Sequence, residues 1–349
     1  MNWRAPRHVR ARAPLRLGLA GGGSDIRAYA ERHGGAVLNV SIDRFAFAHL
    51  SVGSDGQVRL RAADLNREER HSTAHPLAIS DGLRIHRAVY ERLVRDYLGG
   101  ERPSLSITTT IDAPMGSGLG SSSALCVALI TAFAGAFDLP LGPYDVARLA
   151  YDVERNDLGL AGGMQDQYAA AFGGLNFIEF RSDGGVIVNP LRTKLQDLRE
   201  LESSLVVCFT GQSRDSAEII EDQITAIETL DDGALSRLHD LKQDAFDMKL
   251  AVLRGDIEQV SRVLNRSWQI KRGLSAKISN THIERIYQAG MNTGAKAGKI
   301  SGAGGGGFMM FMTDPENRFA LIQALNAAGG TASPVFFTAE GAEAWPTRS

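Results

Sequence analysis

The segment Pro114-Met115-Gly116-Ser117-Gly118-Leu119-Gly120-Ser121-Ser122-Ser123-Ala124 places three glycines beside three consecutive serines. Small residues let backbone N–H groups approach an anion, and the positive end of a helix dipole favours negative charge there. The β-rich run Leu105 to Ile111 leads into this segment, and the Ala-rich run Ser123 to Phe137 leaves it as a helix. The segment therefore reads as a nucleotide-phosphate loop, in which Ser121, Ser122 and Ser123 can offer hydroxyls to a phosphate or to Mg²⁺. It is not the G-x-x-x-x-G-K-[ST] loop, because no lysine follows the second glycine. Nor is it the dinucleotide fingerprint, which requires a βαβ unit and an acidic residue about 20 positions on. A plain glycine–serine turn is the competing reading.

Two carboxylates follow, Glu154 late in one helical stretch and Asp166 at the start of the next. Phosphoryl transfer needs a metal ligand and a group that orients or deprotonates the attacking hydroxyl. Taken alone, each residue reads first as a solvated carboxylate or a helix cap. Asp166 differs, because Gly162 and Gly163 just before it permit close approach of a substrate. Two more glycine clusters stand at either end of the chain, Gly21-Gly22-Gly23-Ser24-Asp25 and Gly302-Ala303-Gly304-Gly305-Gly306-Gly307. A hairpin turn needs only about two residues. Five glycines in the second cluster point to backbone approach to a ligand or to another domain.

The elements that must position these residues alternate in an α+β pattern. Strands are expected at Val9 to Leu19, Ala36 to Ile42, Phe45 to Val52, Gln57 to Ala62, Leu105 to Ile111, Leu175 to Phe180 and Val186 to Val188. Ser24-Asp25 read as the N-cap of a helix from Ile26 to His33. Further helices are expected at Leu83 to Leu98, Pro143 to Asn156 and Gly163 to Phe172. The second half opens with a strand at Ser204 to Phe209. Four helices follow, then strands at Lys296 to Ile300 and Phe308 to Met312, a helix at Arg318 to Ala328 and a last strand at Ser333 to Phe337. With 349 residues the chain suffices for two compact domains, divided here as an ATP-binding domain over 1–198 and a C-terminal domain over 199–349.

A net charge of −2, with no basic block beyond the N-terminal arginines, argues against a nucleic-acid partner. A few arginines could still form a cationic pocket for an anionic small molecule. Arg214, Lys271 and Arg272 are candidates, each also readable as part of a solvated helix face. Cys126 and Cys208 lie in apolar runs and read as buried thiols rather than a disulfide, which suits a cytoplasmic location. The longest apolar stretch, Ala124 to Phe137, is shorter than the roughly 18–20 residues of a membrane span. Monomer and homodimer both remain open.

Three segments together resemble the GHMP kinases: Ala13-Pro14-Leu15-Arg16, the Pro-x-Gly-x-Gly-Leu-Gly-Ser-Ser-Ser-Ala loop, and Lys299-Ile300-Ser301-Gly302-Ala303-Gly304-Gly305-Gly306. Within that family the chain is most similar to the sugar 1-kinases acting on D-glycero-D-manno-heptose 7-phosphate. That likeness is carried by Leu19 to Asp25, Gly163-Met164-Gln165-Asp166-Gln167-Tyr168 and Trp268-Gln269-Ile270-Lys271-Arg272. The resemblance implies an N-terminal domain like ribosomal protein S5 domain 2, a ferredoxin-like C-terminal domain and an active site between them. It implies that Pro114, Gly116, Ser117, Gly118, Leu119, Gly120, Ser121 and Ser122 wrap the phosphates of ATP, and that Ser122 and Glu154 hold Mg²⁺. Asp166 would deprotonate the acceptor hydroxyl, and Arg16 would lower its pKa or stabilise charge on the phosphoryl group. Gly22, Gly23, Ser24, Asp25, Arg214, Gly304 and Gly305 would contact the sugar phosphate. The presence of Asp166 disfavours a homoserine kinase. Ala20-Gly21-Gly22-Gly23-Ser24-Asp25 departs from the Gly-Glu-His of galactokinase and mevalonate kinase. Other acceptors within the family, such as fucose, galactose or mevalonate, and a non-catalytic nucleotide-binding regulator remain alternatives.

Overall fold

The computed structural model describes residues 8–211, 217–229 and 231–347. Its first sheet is built around β1 (His8–Ala20) and β2 (Gly35–Val52), joined by β3 (Gln57–Ala62), β4 (Arg67–Ser72), β5 (Leu105–Ile111), β6 (Leu175–Phe180) and β7 (Val186–Pro190). The second sheet contains β8 (Leu205–Phe209), β9 (Ala297–Ile300), β10 (Phe308–Met312) and β11 (Thr331–Pro334), and the last element among the described residues is β12 (Glu343–Pro346).

The two strands expected at Ala36 to Ile42 and Phe45 to Val52 are one continuous β2. Its first half pairs with β6 and its second half with β5, while β1 runs antiparallel along both. The register slips between Pro14 and Leu15. Proline has no N–H to give a ladder, so an irregularity there is where the strand can tolerate it. The helix Ser121–Phe137 packs against β1 and β2 and buries Ala124 through Ile130 without interruption. A helix apolar on every side belongs in a core.

The second sheet has the order β11-β8-β10-β9, all antiparallel. Renumbered within this domain, that is 4-1-3-2, the ferredoxin-like arrangement the family resemblance implied. All five residues of β10 are buried. The main apolar core runs through both halves: it includes Leu15 and Leu38 from the first sheet, Ala245 and Met248 from the helix Asp232–Arg254, and Met310 from β10.

Three expectations are corrected. The cut at 198/199 does not hold for the chain's end, because β12 pairs with β1, Arg12 opposite Glu343, and so returns to the first sheet. Ser24 and Asp25 do not cap the first helix; it starts at Arg27 after Ile26, without a side-chain cap. Pro143 to Asn156 is not one α-helix, since it passes at Val153 into a single π-turn, Val153–Asp157, which carries Glu154.

Candidate active site

The phosphate loop is shaped by three residues in the left-handed region: Gly116, Gly118 and Gly120 have φ of 72°, 77° and 75°. A side chain would strain each of them. The loop opens the helix Ser121–Phe137, so the free N–H groups of that helix face whatever the loop encloses. Gly116, Gly118, Gly120, Ser121 and Ser122 line a cleft of about 620 Å³, to which Ala62, Leu65 and Ile111 add apolar surface. Ser117 and Leu119, expected among the phosphate-wrapping residues, are instead fully buried. The Ser117 carbonyl accepts from Phe308 N at 2.8 Å and the Leu119 carbonyl from Arg16 N at 3.0 Å, so both shape the loop from behind. Pro114 offers its carbonyl to Ser117 N at 3.1 Å.

Behind the serines stands Glu154, 2% exposed. Ser122 Oγ donates to one carboxylate oxygen at 2.9 Å, and Ser123 Oγ donates to the other at 2.7 Å. Gln167 Nε2 also donates to that second oxygen and reaches Ser123 Oγ at 3.1 Å. The π-turn widens the helix by one residue at this point, a device common at functional sites. Ser122 and Glu154 both line the cleft. One carboxylate and one hydroxyl oxygen beside a phosphate loop fit Mg²⁺, a hard cation that takes one or two protein oxygens and completes its shell with phosphate and water.

Across the loop, Arg16 is 4% exposed on β1. Its Nε donates to Asp166 Oδ1 at 2.8 Å and its Nη2 approaches the same oxygen at 2.6 Å. Its Nη1 donates to the Gly118 carbonyl at 2.6 Å and to Ser301 Oγ at 3.2 Å. The two residues given a catalytic role by resemblance are thus in direct contact. Asp166 is a quarter exposed and lines the cleft. Gly120 stands beside it, where an added Cβ would lie 3.3 Å from the carboxylate carbon.

Asp25 is 2% exposed and its oxygens are occupied. Gly23 N donates to Oδ1 at 3.0 Å; Gln165 N and Nε2 donate to Oδ2 at 3.1 and 3.2 Å. A Cβ on Gly163 would fall 2.0 Å from Oδ2. Asp25 therefore clamps the first glycine turn to the start of the helix that bears Asp166. Ser24, fully buried, donates to the Gly21 and Ala36 carbonyls at 2.8 and 2.9 Å and holds the same turn together. Gly22 lies by the Gln165 amide and Gly23 by Leu238.

The third glycine cluster packs backbone to backbone on the phosphate loop. A Cβ on Gly118 would come within 2.3 Å of the Ser301 carbonyl oxygen, and one on Gly302 within 2.7 Å of Gly118 Cα. Gly302 and Ala303 line the cleft. Gly304 and Gly305, expected to contact the sugar phosphate, lie against Ile278, whose carbonyl accepts from Gly305 N at 2.8 Å. Of the candidate cations, Lys271 is buried and donates to the Gly302 carbonyl, while Arg272 pairs with Glu284 at 3.1 Å. Arg214 lies outside the described residues.

Comparison with known proteins bears on this arrangement. Models of the GHMP kinases N terminal domain and of the GHMP kinases C terminal domain match residues 84–174 and 248–331. Over 338 residues the chain is 43% identical to a D-glycero-alpha-D-manno-heptose 7-phosphate kinase of Campylobacter jejuni, covering 97% of this chain and 98% of that protein. The chain belongs to the GHMP kinases. A solved structure of a D-glycero-D-manno-heptose 1-phosphate kinase from Bacteriodes thetaiotaomicron superposes with a TM-score of 0.83 at 40% identity, covering 98% of this chain and all of that one. The Methanococcus jannaschii mevalonate kinase superposes at 0.75 with 19% identity, covering 95% of this chain and 98% of that one, which shows a shared fold. As a GHMP kinase the chain takes ATP as co-substrate. Among the described residues no helix is long and apolar enough to cross a membrane.

Some contacts of this GHMP kinase site were not legible in the sequence. Ser123 and Gln167 lie inside motifs already singled out, yet their bonds to Glu154 span 31 and 13 positions. Gln165, which grips Asp25 from 140 positions away, carried no local signal either, and Lys271, expected as a candidate cation for an anionic substrate, instead reaches the Gly302 carbonyl from 31 positions away.

Proposed function

We propose that this GHMP kinase transfers the γ-phosphoryl group of Mg·ATP to the anomeric hydroxyl of D-glycero-D-manno-heptose 7-phosphate, giving the 1,7-bisphosphate. The contact of Arg16 with Asp166 beneath the phosphate loop carries the reading, and the 43% identity to a heptose 7-phosphate kinase over nearly its full length supports the acceptor.

Gly116, Gly118, Gly120, Ser121 and Ser122, at the N-terminus of the following helix, hold the triphosphate through backbone donors. Ser122 and Glu154 would hold Mg²⁺, and the ion when bound would supply charge neutralisation on the phosphates. Asp166 takes the proton from the acceptor hydroxyl as it attacks the γ-phosphorus. Arg16 orients Asp166 and faces the charge that builds on the transferred group, so positioning and electrostatics supply the rate. The N-terminal residues 8–198 supply the phosphate loop and both candidate catalytic groups, and the C-terminal residues supply the Ser301–Gly307 loop that closes on them.

Release of ADP, measured with heptose 7-phosphate, the unphosphorylated heptose, fucose, galactose and mevalonate, tests the acceptor. The reading requires heptose 7-phosphate to give the highest kcat/KM. A clear preference for an unphosphorylated acceptor would contradict it.

A further inference from the structure

Beside the reacting pair lies a group that the reaction above does not use. Lys271, on the helix Ile257–Arg272, is 5% exposed, and its Nζ donates to the carbonyl of Gly302. Gly302 is stacked on Gly118. The Gly118 carbonyl in turn accepts from Arg16 Nη1 at 2.6 Å, and Arg16 holds Asp166 at 2.8 Å. Lys271, Gly302, Gly118, Arg16 and Asp166 thus form one connected chain. It joins the C-terminal glycine loop to the phosphate loop and to the acceptor carboxylate.

Charges face Lys271 from four directions: Arg16 on β1, Asp25 in the turn after it, Asp166 at the start of the helix Gln165–Phe172 and Lys299 on β9. Asp25 and Asp166 favour its ammonium; Arg16 and Lys299 oppose it. Lys299 has its own anchor, donating to the Gly18 and Leu19 carbonyls at 3.0 and 3.1 Å with the buried Asp244 near it. An ammonium makes a charge-assisted hydrogen bond to a carbonyl that a neutral amine cannot match. Taking that charge away weakens the hold on Gly302, at a point where the two loops touch backbone to backbone.

Resting on the kinase reading above, we propose that Lys271 is a positioning residue for phosphoryl transfer. Its ammonium holds the Gly302 carbonyl so that the stacked glycine loops keep Arg16 and Asp166 in register with the phosphate loop. Burial lowers its pKa to about 8, with Arg16 adding to the effect. Its proton is present below that pH and is lost as pH rises through it, so the hold on Gly302 fails on the alkaline side.

The test compares wild type with Lys271→Met and Lys271→Arg, each checked by thermal melting and by affinity for a fluorescent ATP analogue. For Lys271→Met, kcat is expected to fall on the order of 10²-fold, the scale of a small misplacement, while the ATP-analogue affinity stays within about threefold. Its remaining activity should lack the alkaline fall of the wild type. Lys271→Arg, whose charge does not titrate in this range, should move that fall to higher pH. Wild-type kcat in Lys271→Met, or an unchanged alkaline fall in either variant, overturns the proposal. Should Lys271→Met not fold, the pH profile of Lys271→Arg decides alone. The comparison can be run with any acceptor the wild type phosphorylates, so an error in the acceptor assignment shows as inactive wild type rather than as a result for Lys271.

Discussion

Arg16 meets Asp166 through both Nε and Nη2, at 2.8 and 2.6 Å from one carboxylate oxygen. This leaves the other oxygen of Asp166 to the cleft. The geometry gives the carboxylate a fixed direction without consuming both of its acceptor sites.

Asp166→Ala is expected to lower kcat by on the order of 10²–10⁴-fold, the usual span for loss of a general base, with ATP-analogue binding unchanged. Steady-state kinetics and a binding titration together check this. Retained transfer near the wild-type rate would remove Asp166 from its role.

Ser123→Ala removes a donor to the Glu154 oxygen opposite the one that faces Ser122. Partners that orient a metal ligand commonly contribute 10–100-fold in metal affinity. The Mg²⁺ concentration giving half-maximal rate should therefore rise by roughly that factor, with kcat at saturating Mg²⁺ changed much less. Glu154→Gln should need still more Mg²⁺.

Gly118→Ala places a methyl 2.3 Å from the Ser301 carbonyl oxygen at a φ of +77°. Either the residue strains or the loops part. The expected result is a loss of about 1–3 kcal/mol in stability, read as a lower Tm, together with a fall in kcat larger than the change in ATP affinity. A variant with unchanged Tm and kcat would mean that the two loops do not need their contact.

His86 is buried against Thr109, with Nε2 2.8 Å from its hydroxyl, and burial lowers its pKa to about 4. The unfolded chain takes up this proton near the ordinary value of about 6.5. Between those values the unfolded state binds more protons, so stability falls as pH drops from about 6.5 towards 4. His86→Gln should lose less Tm than wild type between pH 7 and 5. An identical drop in both proteins would contradict the assignment.

Much of this site was legible because its glycines and serines sit in unbroken local runs. Gly116 to Ser122 and Ser301 to Gly307 each combine a turn with a neighbouring apolar element, and such runs need no knowledge of distant contacts. What stayed hidden was decided by tertiary pairing. β4 reads Arg-Glu-Glu-Arg-His-Ser, with no apolar alternation, and exists because β3 pairs with it. β12 is four exposed residues whose strand character comes from β1. The caps assigned to Ser24 and Asp25 follow local rules, but buried carbonyls and the Gln165 amide outcompete the helix end for their side chains. Lys271, readable as part of a solvated face, is buried because the glycine loop folds over its helix.

The most direct test of the central claim is the position of the new phosphate. Wild-type protein incubated with Mg·ATP and D-glycero-D-manno-heptose 7-phosphate should give one product, whose phosphorus spectrum shows a phosphate coupled to the anomeric C1 proton, and Asp166→Ala should not form it at a comparable rate. No phosphate transfer to this sugar, or transfer to any other hydroxyl, would contradict the account.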